Sequence, residues 1–439
     1  MDIKNLYYIW LSSTLGAGSR TPKILLEHFY DIEKVYCAEK EELEALSLDK
    51  ADIVMLGNKN LDNAKKYLDY CEKNGIGILT YDSPSYPERL GLIDNPPPMF
   101  YYKGRLNNLD DYPCITMVGT RSCSERGFRF AYETAYDAAS KGAVIVNGLA
   151  LGIDGACITG ALDANGYAVG LLGCGIDRIY PYGNKEIFER LANSGLILSE
   201  FAPFTEPAGK NFPVRNRVMS ALSLATAVFE AGDGSGASLT AKHALEQGRR
   251  IFAVPAKPYD KSYSVALELI KDGATVFTEA DDILTEYSMS FPHRINLANI
   301  NEVPMDKLNR LVAMYFKKDI NPDEPVNRRY TKKPVKNEKE EAKKVTEQAP
   351  FAKEFQNEII KAKDEKEKAE AKTPTTPDLS LLSKAELEIY EVLSKHEPLS
   401  PDEIAGQGIK IDDILSALTL LEIYGLVKAL PGGKYSIIK

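Results

Sequence analysis

Between residues 114 and 255 the chain alternates short, mostly apolar runs with longer segments of helical period, a pattern few architectures tolerate. The runs fall at 115–118, 143–146, 167–172, 196–199, 225–230 and 251–254. Strands apolar on both sides are strands covered on both faces, the condition of a parallel sheet. Helices are predicted near 124–140 and 154–164, from Asn184, and over 238–247. The alternation predicts an α/β fold, a doubly wound and mostly parallel sheet with helices on both faces. Residues 275–277 and a helix near 280–287 would close it.

Three turns in this stretch follow a strand and precede a helix: Val118-Gly-Thr-Arg-Ser122, Asn147-Gly-Leu-Ala-Leu-Gly-Ile-Asp154 and Glu230-Ala-Gly-Asp-Gly-Ser-Gly-Ala-Ser238. Such turns lie at the carboxyl edge of the sheet, where open α/β folds bind ligands. Backbone amides at a helix start and the Arg121 guanidinium suit a phosphate. Gly148 and Gly152 permit unusual backbone angles. Asp154 has two readings of equal weight, a helix cap or a ligand group. The third turn is rich enough in glycine for an anion nest. No Walker lysine follows it, and G-x-G-x-x-G is absent from the first turn, so P-loop and dinucleotide readings fail.

The most pointed segment is Gly209-Lys-Asn-Phe-Pro-Val-Arg-Asn-Arg217. A lysine and two arginines around an aromatic match single-stranded nucleic acid sites, where charges meet phosphates and a ring stacks on a base. The alternative is that Arg215 or Arg217 forms a structural ion pair with a residue such as Glu200 or Glu230.

A net charge of −9 argues against a protein coated in positive charge. The central stretch nevertheless carries as many basic as acidic residues, so a local basic pocket is compatible with it. Six scattered cysteines with no C-x-x-C pair argue against zinc and against disulfides. No metal or cofactor is expected. No apolar run approaches the roughly 20 residues that span a membrane. The start Met1-Asp-Ile-Lys-Asn lacks a signal-peptide pattern, so a cytoplasmic protein without membrane contact is expected. His28, His243, His293 and His396 have no Ser or Cys partner in a catalytic motif, so the chain is not expected to be an enzyme.

The flanks divide into further units. Residues 1–80 are helical in pattern, with Gly16-Ala-Gly18 between two helices in the manner of a helix–hairpin–helix. Such a turn can hold a backbone phosphate; the plainer reading is a small bundle packed on its neighbour. The α/β unit spans 81–290, its proline-rich opening read as a connector whose end, Phe100-Tyr-Tyr-Lys-Gly104, adds an edge strand. Residues 291–378 form a Pro-, Lys- and Glu-rich linker, most marked from 318. Residues 379–439 read as three helices and a hairpin turning at Pro431-Gly-Gly433, a winged helix. Its third helix offers Asp412, Asp413 and Glu422 rather than arginines, which suits protein contact better than duplex reading.

In order and spacing these segments resemble DNA-processing protein A, the Smf/DprA family. The resemblance rests on Val118-Gly-Thr-Arg-Ser122, Asn147 to Asp154, Leu172-Gly-Cys-Gly-Ile-Asp-Arg-Ile-Tyr-Pro181, Leu198-Ser-Glu-Phe201 and Phe212-Pro-Val-Arg-Asn-Arg217, continuing through Phe252-Ala-Val-Pro255. Asn147 and Leu151 stand where the family usually has Ser and Arg, and Val265 and Leu267 where it has Gly and Asn. The resemblance implies an extended Rossmann-like core with an N-terminal helical domain of the SAM or helix–hairpin–helix kind and a C-terminal winged helix. It implies a homodimer that binds single-stranded DNA and loads the RecA recombinase during natural transformation, with single-strand-binding protein a further candidate partner. Carried over by position, Arg121 and Lys210 would grip phosphates and Phe212 would stack on a base. Gly119, Ser122, Gly148, Gly152, Arg215, Asn216, Arg217, Gly236 and Ser238 would complete the DNA site.

Two other functions compete. A nucleotide phosphoribohydrolase would use the glycine-rich turn and Glu246, although the spacing differs from that signature. An interaction scaffold would rely on the winged helix and linker.

Overall fold

The computed structural model describes residues 3–316 and, nearer the C-terminus, residues 389–390, 392–394, 399, 403–404, 414, 418, 427–430 and 434–437. The chain divides into two units, Met1–Ile359 and Ile360–Lys439.

The first unit opens with helices α1 (Ile3–Leu15), α2 (Thr21–Phe29), α3 (Ile32–Cys37), α4 (Lys40–Glu44), α5 (Lys50–Leu56) and α6 (Asp62–Lys73). Helix α1 is buried at every position from Leu6 to Ser12, because α3, α5 and α6 pack around it. Burying an aromatic such as Tyr8 or Trp10 contributes ~1.5–3 kcal/mol. The Trp10 indole keeps its hydrogen bond by donating to the Asn58 carbonyl at 2.9 Å.

Strands β1 (Gly77–Thr80) and β2 (Met99–Gly104) flank the short helix α7 (Glu88–Gly91). The alternating region follows: β3 (Cys114–Val118), α8 (Glu125–Ser140), β4 (Val144–Asn147), α9 (Ile153–Asp163), β5 (Ala168–Leu172), α10 (Lys185–Ser194) and β6 (Leu196–Ser199). Next come α11 (Asn211–Leu222), β7 (Ala225–Val228), α12 (Gly236–Glu246), β8 (Arg250–Ala253), α13 (Ser264–Lys271), β9 (Thr275–Val276) and α14 (Ala280–Leu284). The strands form one sheet in the order β1-β2-β6-β5-β4-β3-β7-β8-β9. Pairing is parallel from β6 through β9, while β2 runs antiparallel to both β6 and β1. The mostly parallel, doubly wound sheet is therefore present. Winding reverses between β3 and β7, the topological switch point. Side chains alternate across it: Ile115, Met117 and Ile145 face a layer built with α8, α9 and α14, whereas Val118, Val144 and Val146 face α11, α12 and α13.

Three sequence expectations change. Strand β2 is interior rather than an edge, because β1 pairs on its outer side with Thr80 opposite Met99. Residues 211–222 form helix α11, hidden in the sequence by Pro213 and by burial on all sides. Proline is tolerated in a first turn, whose amides have no intrahelical acceptor. Order also extends past residue 290. Helix α15 (Met305–Phe316) lies on α8, with the Phe128 ring 4.8 Å from Tyr315 and 5.9 Å from Phe316. Lys307 on α15 reaches the Asp163 carboxylate at 2.7 Å.

In the second unit, β10 (Val427–Leu430) and β11 (Lys434–Ile437) form an antiparallel hairpin, and Leu399 bridges to Tyr435. Ile389, Leu393, Ile404, Ile414, Leu418 and Val427 make a small core of their own. The expected third helix lies largely outside the described residues.

Candidate nucleic-acid interface

Helix α11 decides what the central segment can do. Its N-terminus carries Lys210 at the cap, exposed, and Phe212 in the first turn, half-buried. The Phe212 ring rests on Gly173, just past the end of β5; a β-carbon there would lie 2.7 Å from Cδ1. The Arg121 guanidinium carbon, from the turn after β3, sits 5.4 Å from the Phe212 ring centre, and that of Arg215 sits 5.8 Å away. Tyr180 lies 5.8 Å from Phe212, the ring planes inclined by 25°. Three loops after β3, β5 and β6 thus converge on one ring.

The second turn, after β4, supplies the floor. Leu149 holds a left-handed backbone angle, φ 55°, unusual for a bulky residue. Its neighbours over-determine it. The Leu149 amide donates to Asn147 Oδ1 at 3.0 Å, and Asn184 Nδ2 donates to the Leu149 and Ala150 carbonyls, each at 2.9 Å. Gly152 follows with φ 77°, its Cα so close to the first turn that a β-carbon would lie 2.4 Å from the Thr120 carbonyl oxygen. Asp154 is not the helix cap: it sits inside α9, and its Oδ2 accepts from the Gly148 amide at 3.2 Å and the Ala150 amide at 3.4 Å. Burial pushes its carboxyl above the usual range, against the opposing pull of Arg215, those two amides and Arg121.

The expected site residues divide by exposure. Gly119, Arg121, Ser122, Lys210, Phe212, Gly236 and Ser238 are exposed or half-exposed, whereas Gly148, Gly152, Arg215, Asn216 and Arg217 are buried. Arg215 and Arg217 have internal partners, as in the structural alternative raised for them. Arg217 donates from Nη1 and Nη2 to the two Glu200 carboxylate oxygens, both at 2.9 Å, and from Nη2 to the Asn95 carbonyl at 2.9 Å. Arg215 donates from Nη1 to the carbonyls of Gly148 and Leu171, and from Nε to Asn216 Oδ1 at 3.0 Å. Burial lowers its guanidinium to about 10, with Asp154 opposing the shift. Asn216 in turn donates from Nδ2 to the Gly236 carbonyl at 3.4 Å. These three tie α11 to the strand ends and leave Arg121 and Lys210 as the cations that face outward.

The third turn meets α11 through the Asn216–Gly236 hydrogen bond and is otherwise engaged internally. Ser235 caps α12 at the Ala237 amide, and the Ser238 amide donates to the Ser235 carbonyl. Glu230 accepts from the Ser124 amide and, at 2.7 Å, from the Ser124 hydroxyl, while its carbonyl accepts from the Thr120 amide. Glu230 therefore fastens the first and third turns together across the switch point instead of pairing with an arginine. Glu246 ends α12, ten residues beyond Gly236 and, at 1.5 Å per residue, about 15 Å from it. That distance disfavours the phosphoribohydrolase arrangement.

The helix–hairpin–helix turn is also engaged from within. The Gly18 amide donates to Glu200 Oε1 at 2.9 Å and its carbonyl accepts from Asn95 Nδ2 at 3.0 Å. An internal carboxylate occupies the place foreseen for a phosphate, and the bundle packs on its neighbour. The sequence signal for this network was Asn95, a polar loop residue whose partners Gly18 and Arg217 lie far along the chain. No described helix is long and apolar enough to cross a membrane, and no described cluster of His, Cys, Asp or Glu suits a metal ion.

Residues 77–288 match the family described as DNA recombination-mediator protein A, and residues 370–433 match a DprA winged helix domain. The Smf protein of Synechocystis is 35% identical over 284 residues, which cover 63% of this chain and 71% of that protein. The DNA processing protein DprA of Bacillus subtilis is 36% identical over 214 residues, covering 49% of this chain and 72% of the other. An X-ray structure of DNA processing protein A from Streptococcus pneumoniae aligns with 65% of this chain and 99% of its own, at 29% identity and a TM-score of 0.52.

Proposed function

Because the chain belongs to the DNA recombination-mediator protein A family, DprA/Smf, we propose that it captures single-stranded DNA at the Arg121–Phe212 cluster and passes it to the RecA recombinase. The observation that carries this reading is one half-buried aromatic ring beside an exposed guanidinium and two residues after an exposed lysine. A base has a π face to lay on Phe212, and the phosphates on either side of it have Arg121 and Lys210 to meet. Gly119 and Ser122 border that surface. Gly148, Gly152, Arg215, Asn216 and Arg217 hold it from beneath, and Gly236, whose carbonyl accepts from Asn216, and Ser238 join it at the start of α12. Buried scaffolding of this kind keeps the contact groups pre-organised, which lowers the ordering cost of binding.

Mediation without catalysis, homodimerisation and action in DNA uptake belong to the same proposal, supported by family membership. The test is a mobility shift with oligo-dT at low salt, run on the full chain and on a chain lacking residues 320–439. Binding by both supports a site in the α/β unit. Binding by the full chain alone would move the function to the linker and winged helix, and the scaffold reading would replace this one.

A further inference from the structure

The Phe212 cluster does not end at Phe212. Tyr180, inclined by only 25° to that ring, is 39% exposed, and Tyr182, two residues on, is also 39% exposed. Two residues of extended chain span at most about 7 Å, so the two tyrosines are close neighbours along the surface. Beyond them the Lys185 ammonium lies 5.6 Å from the Tyr182 ring centre. The contacts run Arg121 on Phe212, Phe212 beside Tyr180, and Lys185 on Tyr182, with Tyr182 two residues along the chain from Tyr180: three rings and two cations.

This row is held in place rather than loosely hung. Asn184, buried between Tyr182 and Lys185, donates to the carbonyls of Leu149 and Ala150 in the turn that floors the Phe212 site. The rings are thereby fixed to the same scaffold as the proposed DNA contact. Among the described residues Lys185 has one other partner, Glu189, at 3.9 Å with both side chains about half exposed. An exposed pair of this sort contributes little and yields readily to a phosphate. Partly exposed large aromatics on a rigid loop, with cations close to two of the three rings, are what a sequence-tolerant single-strand track is made of.

We infer that Tyr180, Tyr182 and Lys185 form an exit track, on which the strand leaving the Phe212 site stacks its next bases and sets down a further phosphate. This rests on the single-strand reading above and deepens it by assigning a direction: the strand runs from α11 toward the start of α10.

The test measures the affinity of the full chain for oligo-dT of 4, 8, 12 and 20 nucleotides by fluorescence anisotropy. Tyr180→Leu, Tyr182→Leu and Lys185→Gln are compared with Tyr180→Phe and Tyr182→Phe. The track predicts that each Leu variant binds the 12- and 20-mers at least about fivefold more weakly than wild type. The Tyr182→Leu and Lys185→Gln losses should be smaller on the 4-mer, which can also seat with its remaining bases on the other side of Phe212. The Phe variants, which keep the ring, should bind like wild type, and this also shows that the loop is intact. If wild type and Phe212→Ala differ as expected but both Leu variants match wild type at every length, the track is wrong while the single-strand reading stands. If wild type binds no oligonucleotide, both fall together.

Discussion

Arg217 and Glu200 meet through two hydrogen bonds of 2.9 Å, with side chains only 5% and 4% exposed. Glu200 follows β6, Arg217 lies on α11, and the same carboxylate accepts the Gly18 amide while the same guanidinium donates to the Asn95 carbonyl. One ion pair therefore joins the helical bundle, the proline-rich connector and the helix that presents Phe212. Truncating Arg217 to Ala strands a buried carboxylate and should cost about 3–5 kcal/mol, seen as a lower urea midpoint. Arg217→Lys, which cannot make the paired contact, should also destabilise. A fully stable Arg217→Lys protein with weakened DNA binding would instead mark Arg217 as a DNA contact.

Gly152 cannot accept a side chain. Its positive φ is joined by a close approach to the Thr120 carbonyl, so Gly152→Ala forces the first and second turns apart. About 1–3 kcal/mol of stability should be lost. Binding of a short oligonucleotide should weaken as well, since Arg121 is carried by the displaced turn. Thermal unfolding and anisotropy on the same preparation check both.

Asp163 joins four helices: its carboxylate, 1% exposed, accepts from Tyr132 on α8, Arg190 on α10 and Lys307 on α15. Burial raises its pKa, but the hydrogen bonds from Lys307, Tyr132 and Arg190 outweigh burial, and the group titrates below the usual carboxylate range. A depressed folded pKa stabilises above the unfolded value, near 3.9, and that contribution is lost as pH falls through the folded pKa. Asp163→Asn should thus cost about 2 kcal/mol at pH 7. Its deficit against wild type should shrink steadily below about pH 4 in denaturant titrations. A pH-independent deficit would mean the carboxylate charge contributes nothing.

The strands and most helices were legible because runs such as Ile115 to Val118 put apolar residues on both faces, Ile115 and Met117 on one and Val118 on the other, as a doubly covered strand requires. Helix α11 was not, since everything from Arg215 to Leu222 is buried and no polar face remains to give a helical period. The site residues show the same limit. Composition around Phe212 announces charge and an aromatic ring, yet it cannot say which arginine faces out. Arg121 faces solvent from an exposed turn, whereas Arg215 and Arg217, buried on α11, spend their donors on carbonyls, Asn216 and Glu200. The tyrosine row was equally hidden, because Tyr180 and Tyr182 acquire meaning only when β5 and α11 bring Phe212 beside them.

The most direct measurement is the salt dependence of oligo-dT affinity for wild type, Arg121→Ala, Lys210→Ala and Phe212→Ala. A single strand contributes a slope of about −0.7 in log K against log salt for each phosphate neutralised. Arg121→Ala and Lys210→Ala should each flatten the slope by about that amount. Phe212→Ala should lower affinity by about 1–3 kcal/mol at an unchanged slope, the mark of lost stacking. Slopes left at the wild-type value in both cation variants would contradict a phosphate grip at Arg121 and Lys210.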